Sequence, residues 1–274
     1  MTYDKNFANL LQVLDLMTGL KLFLIALFSP IVMCAQADRS LVKNWARHPV
    51  PQNEQTEMLY SKNYWRVFLI DDQIKASNIL SNHQEEPLPF EFTPSGFIEQ
   101  MNMKGSKSVM KVDDGYLVGF DNGEFGGSLY WFSKDGKQKD KIARKNIKQF
   151  VWRNNLLYAI AGLNHMGSDY GSIHLITNPN GKWAVKDYLT LPNAPMAVAL
   201  DSHENLIIAT SSALLAVDTN KQITLLEAYH NWQPNMYPSS LVIKDDVVYV
   251  GMMEGIYKYD LTTKQDAWLL PKSD

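Results

Sequence analysis

Four side chains spread along the sequence have the chemistry to act together: His83, Glu124, His165 and Asp169. Two imidazoles and two carboxylates would suit a divalent metal. With Glu124 and Asp169 as an acid pair beside His165, they would instead suit glycan cleavage, which needs two carboxyl groups at a defined separation. Other acids come as neighbours, Asp71-Asp72, Asp113-Asp114 and Asp245-Asp246. Each pair precedes an apolar strand. Asp bonds its own backbone in turns, so these read as turn formers and not as a catalytic pair. The catalytic motifs are missing. No G-x-S-x-G occurs, and Gly167-Ser168-Asp169-Tyr170-Gly171 has the wrong spacing for one. His203-Glu204 has no second histidine to complete H-E-x-x-H, and Gly123-Glu124-Phe125-Gly126-Gly127 lacks the spacing of a dinucleotide loop. The expectation is therefore no catalytic residue, no metal and no cofactor.

The bulk properties exclude other classes. The chain has 274 residues, with 26 basic and 29 acidic side chains and a net charge of −3. That balance lacks the basic field a nucleic-acid binder needs to displace counterions. A hydrophobic share of 46% is ample for a core. Leu22 to Met33 is an apolar run led by Lys21 and followed by Cys34-Ala35-Gln36-Ala37. Small residues at 35 and 37 match a secretory cleavage site, so residues 1–37 read as a signal peptide, with Met17 as the alternative start. Cleavage after Ala37 would remove Cys34, the only cysteine. The mature protein would be periplasmic or secreted, without a membrane span, a disulfide or a thiolate.

A polar turn followed by an apolar strand recurs at Asp72, Asp114, Asn155, Asn205 and Asp246, at intervals of 42, 41, 50 and 41. A second set of turns runs in phase: Phe92-Thr93-Pro94-Ser95-Gly96, Phe132-Ser133-Lys134-Asp135-Gly136, Thr177-Asn178-Pro179-Asn180-Gly181, Asp218-Thr219-Asn220-Lys221 and Asp260-Leu261-Thr262-Thr263-Lys264. They read as the hairpins between third and fourth strands. The unit is four short strands in about 42 residues, and it resembles the blade of the β-propeller superfamily in its degenerate NHL- and WD-like form. The resemblance implies an all-β fold of five blades over residues 64–274, with six as the alternative. Residues 38–63 would be a linker or a closing strand.

Function in repeat proteins tends to sit where the repeat breaks step. The spacing between the two turn landmarks is longest in the first three units, which puts extra residues at about 77–87, 121–128 and 162–172. In a propeller these second-to-third-strand connections share one end of the ring, as do the links between blades. The expected binding residues on that end are His83, Glu124, Phe125, His165, Asp169 and Tyr170, with Trp232 and Tyr237 from the link before the last unit. Aromatic and amphipathic side chains of this kind are enriched in protein interfaces. The sequence thus predicts an exported, monomeric, non-catalytic binding module for a protein partner, in one version an immunity-type inhibitor of an envelope-targeted toxin. A glycan-acting hydrolase or lyase, or an envelope assembly scaffold, is the alternative.

Overall fold

The structure, a computed structural model, describes residues 40–51, 63–78, 88–228 and 236–272. Two short strands come first, β1 (Ser40–Leu41) and β2 (Ala46–His48), and both join sheets made by later parts of the chain. The first sheet pairs β3 (Trp65–Ile70) with β4 (Gln73–Asn78), and β1 adds to β4 as its third strand. A short helix, α1 (Phe97–Asn102), follows. The second sheet runs β5 (Ser106–Val112), β6 (Gly115–Asp121), β7 (Gly127–Ser133), β8 (Lys139–Ala143). The third runs β9 (Ile147–Arg153), β10 (Leu156–His165), β11 (Ser168–Thr177), β12 (Ala184–Leu191). The fourth runs β13 (Pro195–Leu200), β14 (Leu206–Thr210), β15 (Leu214–Val217), β16 (Ile223–Glu227). The fifth runs β17 (Ser240–Lys244), β18 (Val247–Gly251), β19 (Ile256–Asp260), β20 (Asp266–Leu270), and β2 pairs with β20 as a fifth strand.

All the pairings are antiparallel, and the first strands of neighbouring sheets touch: β5 on β9, β9 on β13, β13 on β17, β17 on β3. The sheets therefore stand around a common axis as blades, and the fold is a β-propeller. The reason is burial. A single twisted sheet leaves one apolar face wet, whereas stacked blades cover both. Accordingly β14, Leu206-Ile207-Ile208-Ala209-Thr210, is buried at every position. Apolar clusters fill the interfaces between second and third blades (Leu117, Ile147, Leu157), third and fourth (Ile160, Ile173, Ile208), fourth and fifth (Ile207, Val250, Tyr257), and fifth and first (Val67, Ile256, Trp45). At Gly119 on β6 a Cβ would lie 2.5 Å from that of Ile147, so the close approach of second and third blades requires glycine there.

The fifth interface is built differently. The outer face of the second blade, with Phe120, Tyr130 and Phe132, is covered by Leu88, Phe90, Phe92 and Met103 from the segment before β5. No residue of the first blade joins this cluster among the described residues. This corrects the expected hairpin at Thr93-Pro94-Ser95-Gly96. Gly96 instead caps α1, and the first blade takes its third strand from β1. Proline, serine and glycine serve a helix start as well as a hairpin, and local chemistry does not separate the two.

The strand-one to strand-two turns match their sequence reading. Asp71-Asp72, Asn154-Asn155 and Asp245-Asp246 all have positive φ at both residues, the backbone of a two-residue type I′ hairpin. These turns share one end of the ring, held together by Lys244 on the Asp72 carbonyl (2.7 Å) and Ser202 on Asp246 (2.9 Å). The opposite end carries the second-to-third-strand connections and the links between blades. The third and fourth strands also share an irregularity, a register shift in the second, third and fourth blades.

Candidate functional site

The connection end of the second and third blades gathers most of the described candidates. The β6–β7 link is a tight 3-10 turn, Gly123–Phe125, entered through Asp121. The Asp121 carboxylate accepts from the Gly123 amide (3.1 Å), from the Asn146 side-chain amide (2.8 Å) and from the Lys148 ammonium. That anchoring holds Glu124 and Phe125 out from the surface. Phe125 is 71% exposed. In the third blade the expected extra loop at 162–172 is not a loop. β10 and β11 stay paired out to His165 and Ser168, so the hairpin itself is longer and turns at Met166-Gly167. Its tip leans on the second blade, and His165 Nε2 lies 2.8 Å from Glu124 Oε2. Both groups are about half exposed, so the pair is a screened surface contact that positions two loops.

Asp169 has a different task. Its two oxygens accept from the Asn193 side chain (2.8 Å), the Ala194 amide (2.7 Å) and the Ser211 hydroxyl (2.9 Å). It ties the β12–β13 and β14–β15 connections to the hairpin and is a brace. Tyr170, its neighbour, points outward and is exposed. Tyr237 sits in the link before the fifth blade, beside Tyr64, whose hydroxyl is pushed up to about 12 by burial, with Tyr237 adding and Arg66 opposing. It belongs to the far side of the ring from Glu124 and His165. His83 and Trp232 lie outside the described residues. Among the described residues no three His, Cys, Asp or Glu side chains are grouped to hold a metal.

Sequence reading missed α1, which stands next to the 3-10 turn. Phe97 and Ile98 on it are 75% and 78% exposed. With Met101, Phe125 and Arg144 they line a cavity of about 230 Å³. The helix is bolted down at both ends. Ser95 donates its amide and hydroxyl to Glu99, and Lys139 of β8 reaches the same carboxylate at 2.7 Å. Ser128 of β7 holds the Asn102 carbonyl. Burial works to raise Glu99, but the hydrogen bonds from Lys139 and Ser95 and the lysine charge outweigh it and hold the carboxyl at about 2. A signal was present in Gly96, with Glu99 three residues later and apolar residues at helical spacing, Phe97 and Met101.

The result is an apolar ridge on one arc of the connection end: Phe97, Ile98, Phe125, Met166 and Tyr170, on three anchored elements. No protein-family model matches the chain, and no curated protein matches it. Among solved structures it is similar to the extracellular domain of the hybrid two-component system BT4673 from B. thetaiotaomicron, at 18% identity and TM-score 0.45, over 61% of this chain and 22% of that one. It is similar to a streptogramin B lyase, at 11% identity and TM-score 0.43, over 62% and 56% of the two chains. It is also similar to a virginiamycin B lyase from Staphylococcus aureus with quinupristin, at 9% identity and TM-score 0.41, over 85% and 87%. The chain covers about a fifth of the first and just over half of the second. Likeness at this level carries no argument about activity, and the blade assignment rests on the sheet order.

Proposed function

We propose that this propeller is an exported binding module that grips a protein partner with the ridge on its connection end. One observation carries the reading. Five large apolar side chains stand in water on elements that are each held by buried or bridged contacts. Soluble proteins rarely leave a large apolar patch bare unless something covers it, and Phe97, Ile98 and Phe125 here line one cavity beside the hairpin that carries Met166 and Tyr170. Rigid anchors also lose little entropy on binding, which favours affinity. Phe125 and Met166, at 71% and 87% exposure, project as knobs and suit a recessed partner surface. In the finer version the partner is an envelope-targeted enzyme toxin whose cleft this ridge occludes.

The test is recovery of tagged protein from crosslinked envelope extracts, wild type beside Ile98→Glu and Phe125→Glu. A partner retained by wild type and lost from both variants is expected. No partner above background with folded wild-type protein would overturn the reading.

A further inference from the structure

His174 is the buried titratable group that the ridge leaves unused. It lies on β11, the third strand of the third blade, only 1% exposed, next to the outer strand β12. Its Nε2 is 2.7 Å from the Ser172 hydroxyl, two residues earlier on the same face of the strand. Its Nδ1 is 3.0 Å from Asp187 Oδ1 on β12. The register shift between Ile173 and His174 puts Asp187, and not Tyr188, opposite the imidazole. All three side chains line an open cavity of about 540 Å³, together with Lys145, Leu189 and Thr190.

We infer that Ser172, His174 and Asp187 form a nucleophile, general base and orienting carboxylate for acyl transfer from a small ester. The order of contacts, hydroxyl to imidazole to carboxylate, is the one this chemistry needs, and it is recognised by geometry and not by sequence position. The Ser172 oxygen attacks the ester carbon as its proton passes to His174 Nε2. The C–O bond to the alcohol then breaks, and His174 returns that proton to the departing oxygen. Water attacks the acyl-serine next, giving its proton to the same nitrogen. The carboxylic acid leaves, and Ser172 regains its hydrogen.

Two further features fit. Burial lowers His174, and the Lys145 charge lowers it further against the pull of Asp187, so the ring is neutral and able to accept a proton at pH 7. Lys145, 3.4 Å from Asp187, adds a positive charge to the wall of the same cavity, which would favour an ester whose acid product is anionic. The Nδ1 contact to Asp187 is bent away from the ring N–H direction, and Asp187 is 84% exposed. Such contacts are often loose before substrate binds. Asp187 is accordingly a positioning residue here.

The experiment exposes the full chain to a fluorophosphonate probe and maps the modified peptide by mass. In this reaction the serine oxygen displaces fluoride from phosphorus while His174 takes the proton. Hydrolysis of p-nitrophenyl acetate is followed in parallel as a function of pH. Expected are probe mass on Ser172, its loss in Ser172→Ala, and at least a tenfold slower labelling in Asp187→Asn. The rate should fall as pH drops below the ordinary histidine range, because His174, facing Lys145 and Asp187, becomes protonated. His174→Gln risks the fold, so the Ser172→Ala and Asp187→Asn variants, checked by circular dichroism, decide the matter. Folded wild-type protein without label at Ser172, or labelling that Asp187→Asn and pH leave unchanged, overturns the inference.

Discussion

Glu99 concentrates the residue-scale argument. Its carboxylate joins helix α1 to β8 through Lys139 and to the preceding turn through Ser95. Because its value in the folded protein, about 2, lies below the ordinary 4.5, the contribution is in full force above pH 4.5. It drains away as pH falls toward 2. Glu99→Gln should therefore cost about 1 kcal/mol at pH 7, a figure discounted for solvent screening. The gap between wild type and variant in thermal unfolding should close as pH approaches 2. A gap that stays constant with pH would mean that the contact is steric. The hairpin residues make a second case. Asn155 holds φ of 59°, a left-handed backbone that costs an ordinary side chain about 1 kcal/mol. Asn155→Ala should lose about that much in urea unfolding, whereas Asn155→Gly should not.

Among the elements, the segment from Leu88 to Met103 does the work of a missing blade face. Phe90 meets Tyr116 and Phe132 with ring centroids 5.6 Å away in each case, and Phe92 meets Phe132 at 5.1 Å. The turn at Gly136 packs so closely on Phe90 that a Cβ would come within 2.2 Å of the ring, and φ there is +72°. Phe90→Ala should destabilise by about 2 kcal/mol, below the cost of truncating a fully buried aromatic because the ring is only half-buried. Hydrogen exchange should rise first in β6 and β7, which this segment covers. Uniform acceleration across all five blades would show instead that the segment is integral to one cooperative unit. The ridge depends on the same element, since α1 brings Phe97 and Ile98 beside Phe125.

At the scale of the whole molecule, the ring is held by pairings between distant parts of the chain. β1 completes the first blade and β2 extends the fifth, with Trp45 between them. Trp45 is buried and packs edge-on against Trp65 at 4.7 Å in the cluster shared by those two blades. Trp45→Ala should cost about 3 kcal/mol or more. It should also raise exchange in β3 and β4 well before β9 to β16. Equal protection across the blades would remove the clasp role from residues 40–48. The connection end should keep its ridge in this variant, because Glu124, His165 and Asp169 draw their anchors from the second, third and fourth blades.

Short-range physics was legible before any coordinates. Acid and amide pairs at repeating intervals marked turns, the apolar runs beside them marked strands, and their spacing marked the repeat, because each of these is read from a few neighbouring residues. Glu124, Phe125, His165 and Tyr170 could be placed on one end by the phase of the repeat alone. Other features were decided only by contacts between residues far apart in the chain. Asp169 became a brace because Asn193 and Ser211 come to meet it. The first blade took a strand from residue 40, and Gly96 opened a helix because Lys139 waited for Glu99. Ser172, His174 and Asp187 came together only through cross-strand register. Turn chemistry and period are local energies, while which strand completes a sheet and which side chains meet across it depend on burial summed over all the blades.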